Sequence, residues 1–206
     1  MHKRISDLAI AAVLVLSLVL VALPANATGH SVCIDPGHGG SDTGTSGGGI
    51  LEKDLNLDVA LELGTILSTN GYGVFYTRTE DISLGNSARA EYCNSVGATI
   101  LVSVHHNGAS NPDTDYTTAL YQKRVDRDLA RVVTGSVSTA LGIPNKGITQ
   151  FASGVLIKSD MPATISEGYF LTSTEEQARL SDPDRDYRYE EAQAIYQGIV
   201  AYLGSQ

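Results

Sequence analysis

Two short apolar runs end in histidine-bearing loops, and this pairing constrains the chain more than any other feature. Ser31 to Ile34 runs into Asp35-Pro36-Gly37-His38-Gly39-Gly40, and Thr99 to Val104 runs into His105-His106-Asn107. Short apolar runs bounded by turn residues read as buried strands. In open α/β sheets, sites form outside the carboxyl ends of strands. His38 and His105 can therefore converge although 67 positions separate them.

The segments between and after these runs alternate in period. Leu55, Val59, Leu63, Ile66 and Leu67 recur at helical spacing, and Asn70-Gly71 suits a left-handed stop. Tyr72 to Thr77 is strand-like. Ser87 is placed to cap a short helix through Val96 that would bury Ala88, Tyr92 and Val96. Tyr116 to Tyr121 is β-prone. Val125 to Ala140 marks a long helix, stopped by Gly142 and Pro144. Short strands are predicted near Ile148–Phe151, Val155–Ile157 and Ala163–Ser166. A last helix is predicted over Tyr187–Leu203, with Ala192, Ile195, Ile199 and Tyr202 inward. Strands alternating with helices predict one α/β domain, a mostly parallel or mixed twisted sheet with helices on both faces.

The N-terminus is different in kind. His2, Lys3 and Arg4 precede an apolar run from Leu8 to Leu23, followed by Ala25-Asn26-Ala27. A basic start, a short apolar core and a small-x-small site read as a secretory signal peptide over 1–27, leaving 28–206 as the working domain. The run is short for a membrane span of about 20 residues. The whole chain of 206 residues carries 14 basic and 23 acidic residues. Without Lys3, Arg4 and Asp7 those counts become 12 and 22, a net charge of −10. That balance excludes nucleic acid as the main partner, because phosphate binding needs a basic field. With no long coiled-coil pattern, a monomer is expected.

Two imidazoles and one carboxylate suit zinc and leave a position open for water. Glu52 is the carboxylate candidate, because it opens a helix just after Gly47-Gly48-Gly49. Asp54, Asp58 and Glu62 lie deeper in that helix and read as surface groups. Glu167, within Ile165-Ser166-Glu167-Gly168, sits at a predicted strand end among apolar and small residues. It could act as a general base beside the metal site. Taken singly, a strand-end His is also an ordinary structural residue, and a Glu at a helix start also complements the helix dipole. Cys33 and Cys93 fall in a predicted buried strand and a predicted helix, and read as small core residues. An exported chain also permits a disulfide between them.

The segments Val32–Gly40, Leu51–Leu57 and Val102–Asn107, with Thr77–Asp81, Arg89 and Met161–Glu167, resemble the type 3 family of zinc-dependent N-acetylmuramoyl-L-alanine amidases in order and spacing. The resemblance covers about residues 31–203. It implies Zn2+ held by His38, Glu52 and His105, and a catalytic acid–base at Glu167. It implies peptidoglycan as substrate. His106 falls where that family has a small residue, and is expected to form pocket wall or to support the ligands from behind. Asn107 is expected to order its turn. Arg78 and Arg89 are expected to be structural and ion-paired. One departure is the order Gly168-Tyr169-Phe170, where the family follows its acid with an apolar residue and then Gly-Phe. Two other readings remain open: a zinc peptidase or amidase of similar fold acting on another peptide, and an inactive cell-wall-binding relative.

Overall fold

A computed structural model describes residues 28–206. The signal-peptide reading of residues 1–27 lies outside the described residues. Eight strands occur in chain order: β1 (Ser31–Pro36), β2 (Ser46–Gly47), β3 (Ile50–Leu51), β4 (Gly73–Tyr76), β5 (Ile100–Asn107), β6 (Thr117–Tyr121), β7 (Asn145–Gln150) and β8 (Ala163–Phe170). Six helices join them: α1 (Glu52–Thr69), α2 (Asn86–Ser95), α3 (Arg127–Leu141), α4 (Gly154–Lys158), α5 (Thr174–Leu180) and α6 (Tyr187–Leu203). Six strands form one mixed sheet in the order β4-β1-β5-β8-β6-β7, and β2-β3 is a small separate hairpin. All pairs in the large sheet are parallel except β6–β8.

Strand alternation divides the core in two, because successive side chains point to opposite faces. Val32 and Ile34 of β1, with Ile100, Val102 and Val104 of β5, pack under α1, α3 and α6. Cys33 and Leu101 face the other way, toward α2 and α4, with Cys93, Val155 and Leu156. Helices therefore cover both faces, as the alternating periods predicted. The positions picked as inward on α1 and α6 are all buried. Among the described residues, no helix is long and apolar enough to cross a membrane.

Several local expectations are corrected. Val155–Ile157 is helical, within α4, rather than a strand. Three apolar residues in a row have no period of their own, and here Ser153 starts a turn that carries them onto the α2 side of the sheet. Helix α2 starts after Gly85 with no side-chain cap, so Ser87 is not its cap. Its buried face is Arg89, Ala90 and Cys93, while Ala88 and Tyr92 are exposed. A polar residue, Arg89, occupies an inward position, which hid the face from a hydrophobicity pattern. The stretch around Val125 is a 3-10 turn (Arg124–Asp126) leading into α3, with Val125 exposed. Helix α5 had no apolar stripe to reveal it. The two cysteines are joined in a disulfide, tying β1 to α2.

Candidate active site

β1 and β5 are adjacent and parallel, with Pro36 opposite Val104, so both end at the same edge of the sheet. The loop beyond β1 carries His38, whereas His105 lies within β5 itself, because the strand runs on to Asn107 rather than ending in a loop at His105. The two rings meet edge-on with centroids 4.7 Å apart. Gly37 allows this approach, because a Cβ there would overlap the His105 imidazole. His38 itself has φ +60, an uncommon conformation for a non-glycine residue. Arg89 overcomes that strain by gripping the loop: it pairs with Asp35 Oδ1 at 2.8 Å and donates to the carbonyls of Pro36 and His38. Arg78 donates to Pro36 O, Gly37 O and Lys53 O. Arg89 is therefore ion-paired as expected, whereas Arg78 acts through carbonyls. Buried Asp35 remains ionised: burial pushes its pKa up, but Arg89, Ser103 and Thr77 more than offset this and hold it below the usual value.

Glu52, the first residue of α1, is buried and reaches between the two imidazoles. Its Oε1 is 3.1 Å from His38 Nε2 and 3.0 Å from His105 Nδ1. Donors from the chain fix the carboxylate: the backbone N–H of Thr45 to Oε2 at 2.8 Å, and that of His106 to Oε1 at 3.2 Å. Gly44, at φ +63, lies so close that a Cβ would overlap Glu52 Oε2. Burial pushes the Glu52 pKa up, yet His105 and His38 beside it hold it far below the usual carboxylate value. Burial pulls His38 down, but Glu52 and Asp42 raise it to about 9. Asp42 Oδ2 lies 2.9 Å from His38 Nδ1. One atom from each of His38, Glu52 and His105 can be chosen so that all lie within 4.8 Å of one another, a group that could hold a metal ion. Asp54, Asp58 and Glu62 are exposed, as expected.

Glu167 lies inside β8 rather than at its end, because the strand runs on to Phe170. It pairs in register with His105 on one side and Thr118 of β6 on the other. Burial raises its pKa, partly opposed by His105. His38, His105, Asn107 and Glu167 line one cleft of about 530 Å³. Tyr116, Phe151 and Ser153 form its far wall, a contribution of the β6–β7–α4 edge that no sequence motif announced.

His106 does not line this cleft. It points to the opposite face of the sheet, where Nδ1 is 2.8 Å from Asn56 Oδ1 and Nε2 is 2.9 Å from Glu191 Oε2. The unusual Gly168-Tyr169 order also finds its reason there. Between His105 and Asn107 the β5–β8 register shifts, with three steps on β8 matching two on β5. Tyr169 thereby joins His106 on the buried face, ring centroids 4.5 Å apart. A Cβ at Gly168 would overlap Glu191 Oε1. Asn56 was findable, since it lies one helical turn after Glu52. Glu191, 85 positions from His106, had no local signal.

The family pattern described as N-acetylmuramoyl-L-alanine amidase matches residues 32–201. The chain belongs to the N-acetylmuramoyl-L-alanine amidase family. This amidase-family chain is 31% identical to the amidase LytC of Bacillus subtilis over 84% of its own length and 36% of that protein's. It thus spans about a third of LytC. It is 30% identical to YqiI of the same organism, over 84% of this chain and 85% of that one. Among solved structures, the amidase AmiC2 of Nostoc punctiforme superposes with a TM-score of 0.79 at 35% identity, over 85% of this chain and 97% of that one. An amidase from Clostridium difficile 630 gives 0.79 at 34% identity, over 86% and 98%.

Proposed function

We propose that this chain is an exported, zinc-dependent hydrolase that cleaves the amide joining the lactyl group of N-acetylmuramic acid to L-alanine in peptidoglycan. The observation that carries this reading is the convergence of His38, Glu52 and His105 on one another, at a cleft lined by His38, His105 and Glu167. The donor chemistry fits the metal: two imidazole nitrogens and one carboxylate oxygen suit zinc with a free position. Glu52 is already held ionised and fixed by backbone donors, the form a ligand needs.

Zinc held by these three residues would acidify a water and polarise the scissile carbonyl. The rest belongs to the chain. Glu167 takes the proton from the attacking water and returns it to the leaving amine of L-alanine. Its enclosure raises its proton affinity, which suits a group that must both accept and donate near neutral pH. The cleft wall of Tyr116, Phe151 and Ser153 orients the substrate and limits bulk water. Asp42, against His38 Nδ1, orients that ring. Asn107 closes β5 rather than ordering a turn, its carbonyl accepting from the N–H of Leu171 just past β8. The basic and apolar residues 1–27 support export, where this substrate lies.

The test is digestion of purified sacculi with mass spectrometry of the released fragments. Free stem peptides beginning with L-alanine are expected. Shortened stems still attached to muramic acid would overturn the amidase reading in favour of a peptidase. Untouched sacculi would favour an inactive wall-binding relative.

A further inference from the structure

The carboxylate at the centre of the site is held from behind by a buried chain of side chains that never reach the cleft. Asn56 Nδ2 donates to Gly37 O at 3.2 Å and lies 3.4 Å from Glu52 Oε1. Both of these partners are acceptors only, so the amide orientation is fixed and Oδ1 must face His106. His106 Nδ1 then donates to that oxygen at 2.8 Å, and its Nε2 meets Glu191 Oε2 at 2.9 Å. Asn56 and Glu191 are fully buried and His106 nearly so. Their elements, α1, β5 and α6, are far apart in sequence, and the backbone N–H of His106 also donates to Glu52. A buried ionic group of this kind is weak evidence for stability, since an apolar replacement of the same volume serves as well or better. Glu191 Oε1 has no hydrogen-bond partner among the described residues, a cost that a purely structural device would shed.

We propose that Glu191, His106 and Asn56 are positioning residues that lock Glu52 and the Gly37 carbonyl, and thereby set the metal affinity of the site. This rests on the zinc reading above. Each residue acts through the next: Glu191 fixes the His106 ring, the ring fixes the Asn56 amide, and the amide fixes the ligand carboxylate and the loop that carries His38. Gly168 and Tyr169 belong to the same device, one leaving space for Glu191 and the other packing on the His106 ring.

The experiment is Zn2+ titration of the metal-free chain against a chromophoric chelator, with the d–d spectrum of the Co2+ form as a second readout. Wild type, Glu191→Gln, His106→Ala, His106→Gln and Tyr169→Phe are compared, together with their Tm values. Supporting partners of metal ligands typically contribute about 10–100-fold in affinity. Losses in that range are expected for His106→Ala and Glu191→Gln, with an altered Co2+ spectrum and partial recovery in His106→Gln. Tyr169→Phe keeps the ring on His106 and removes only a hydroxyl that has no hydrogen-bond partner among the described residues, so affinity and spectrum should be unchanged whatever happens to Tm. Should His106→Ala fail to fold, the near-isosteric Glu191→Gln decides. Folded variants with lowered Tm but wild-type affinity and spectrum would overturn the positioning role and leave the zinc reading intact. A wild-type chain that takes up no Zn2+ would overturn both.

Discussion

Glu167 and His105 stand opposite one another on the parallel strands β8 and β5. Adjacent parallel strands hold paired residues at a fixed spacing set by the backbone ladder, independent of side-chain packing. A group at Glu167 is therefore carried to the rim of the His38–Glu52–His105 cluster by the sheet itself. Glu167→Gln keeps volume and removes the proton acceptor. Loss of about 10²–10⁴-fold in hydrolysis is expected, with zinc content and Tm held. Sacculus digestion and metal analysis on the same sample check it; an active variant would remove Glu167 from the chemistry.

The same substitution should have opposite signs at two glycines. Gly37→Ala drives a methyl into the His105 ring, so zinc uptake should fall sharply. Gly135, inside α3, has open space where its Cβ would go. Gly135→Ala should raise stability by about 0.5–1 kcal/mol, the usual gain from removing glycine from a helix interior. Urea midpoints for both variants, with zinc titration for the first, provide the comparison.

Arg89 joins α2 to the end of β1 and the loop after it through Asp35, Pro36 O and His38 O, and also donates to Leu84 O. Removing it strands a buried Asp35 carboxylate and several carbonyls. Arg89→Ala should cost about 3–5 kcal/mol, the usual result of breaking one side of a buried ion pair. Lysine cannot reproduce the fork of donors, so Arg89→Lys should recover only part of that loss. Chemical denaturation reads both.

Glu176 predicts a pH dependence of stability away from the cleft. Burial pushes its carboxyl up to about 7, against the opposing pull of the Tyr187 hydroxyl and Arg179. The folded chain then retains a proton that the unfolded chain loses near 4.5. The stabilisation is full below that unfolded value and is lost as pH rises through the folded one. Tm of the wild type should fall relative to Glu176→Gln between about pH 5 and pH 8. Parallel Tm curves for the two would show that Glu176 is not the group responsible.

Legibility in the sequence followed the range of the interaction. The stripes of α1 and α6 were visible because a helix repeats its inward face every turn. His38, Glu52 and His105 were visible as candidates because each lies at or near the end of a strand or the start of a helix, and Glu167 because its motif belongs to the same family pattern. Helix α4 was missed, since three apolar residues in a row carry no period. The inward face of α2 was misjudged because Arg89, a charged residue, occupies it. The backbone N–H of His106 donates to Glu52, but its side chain faces the other side of the sheet, away from the cleft wall where it was expected. The disulfide was only permitted by the sequence, because pairing requires β1 and α2 to be neighbours.

What the sequence determined by itself was the alternation of strand and helix, and four candidate positions carried by short motifs. Those rest on period, turn residues and motif order, all properties of short stretches of chain. The tertiary structure decided which of these groups meet, which face His106 takes, and what holds Glu52 in place. Strand order, register and the bulge between β5 and β8 set those outcomes. They depend on packing between segments up to 85 positions apart, which no local pattern encodes.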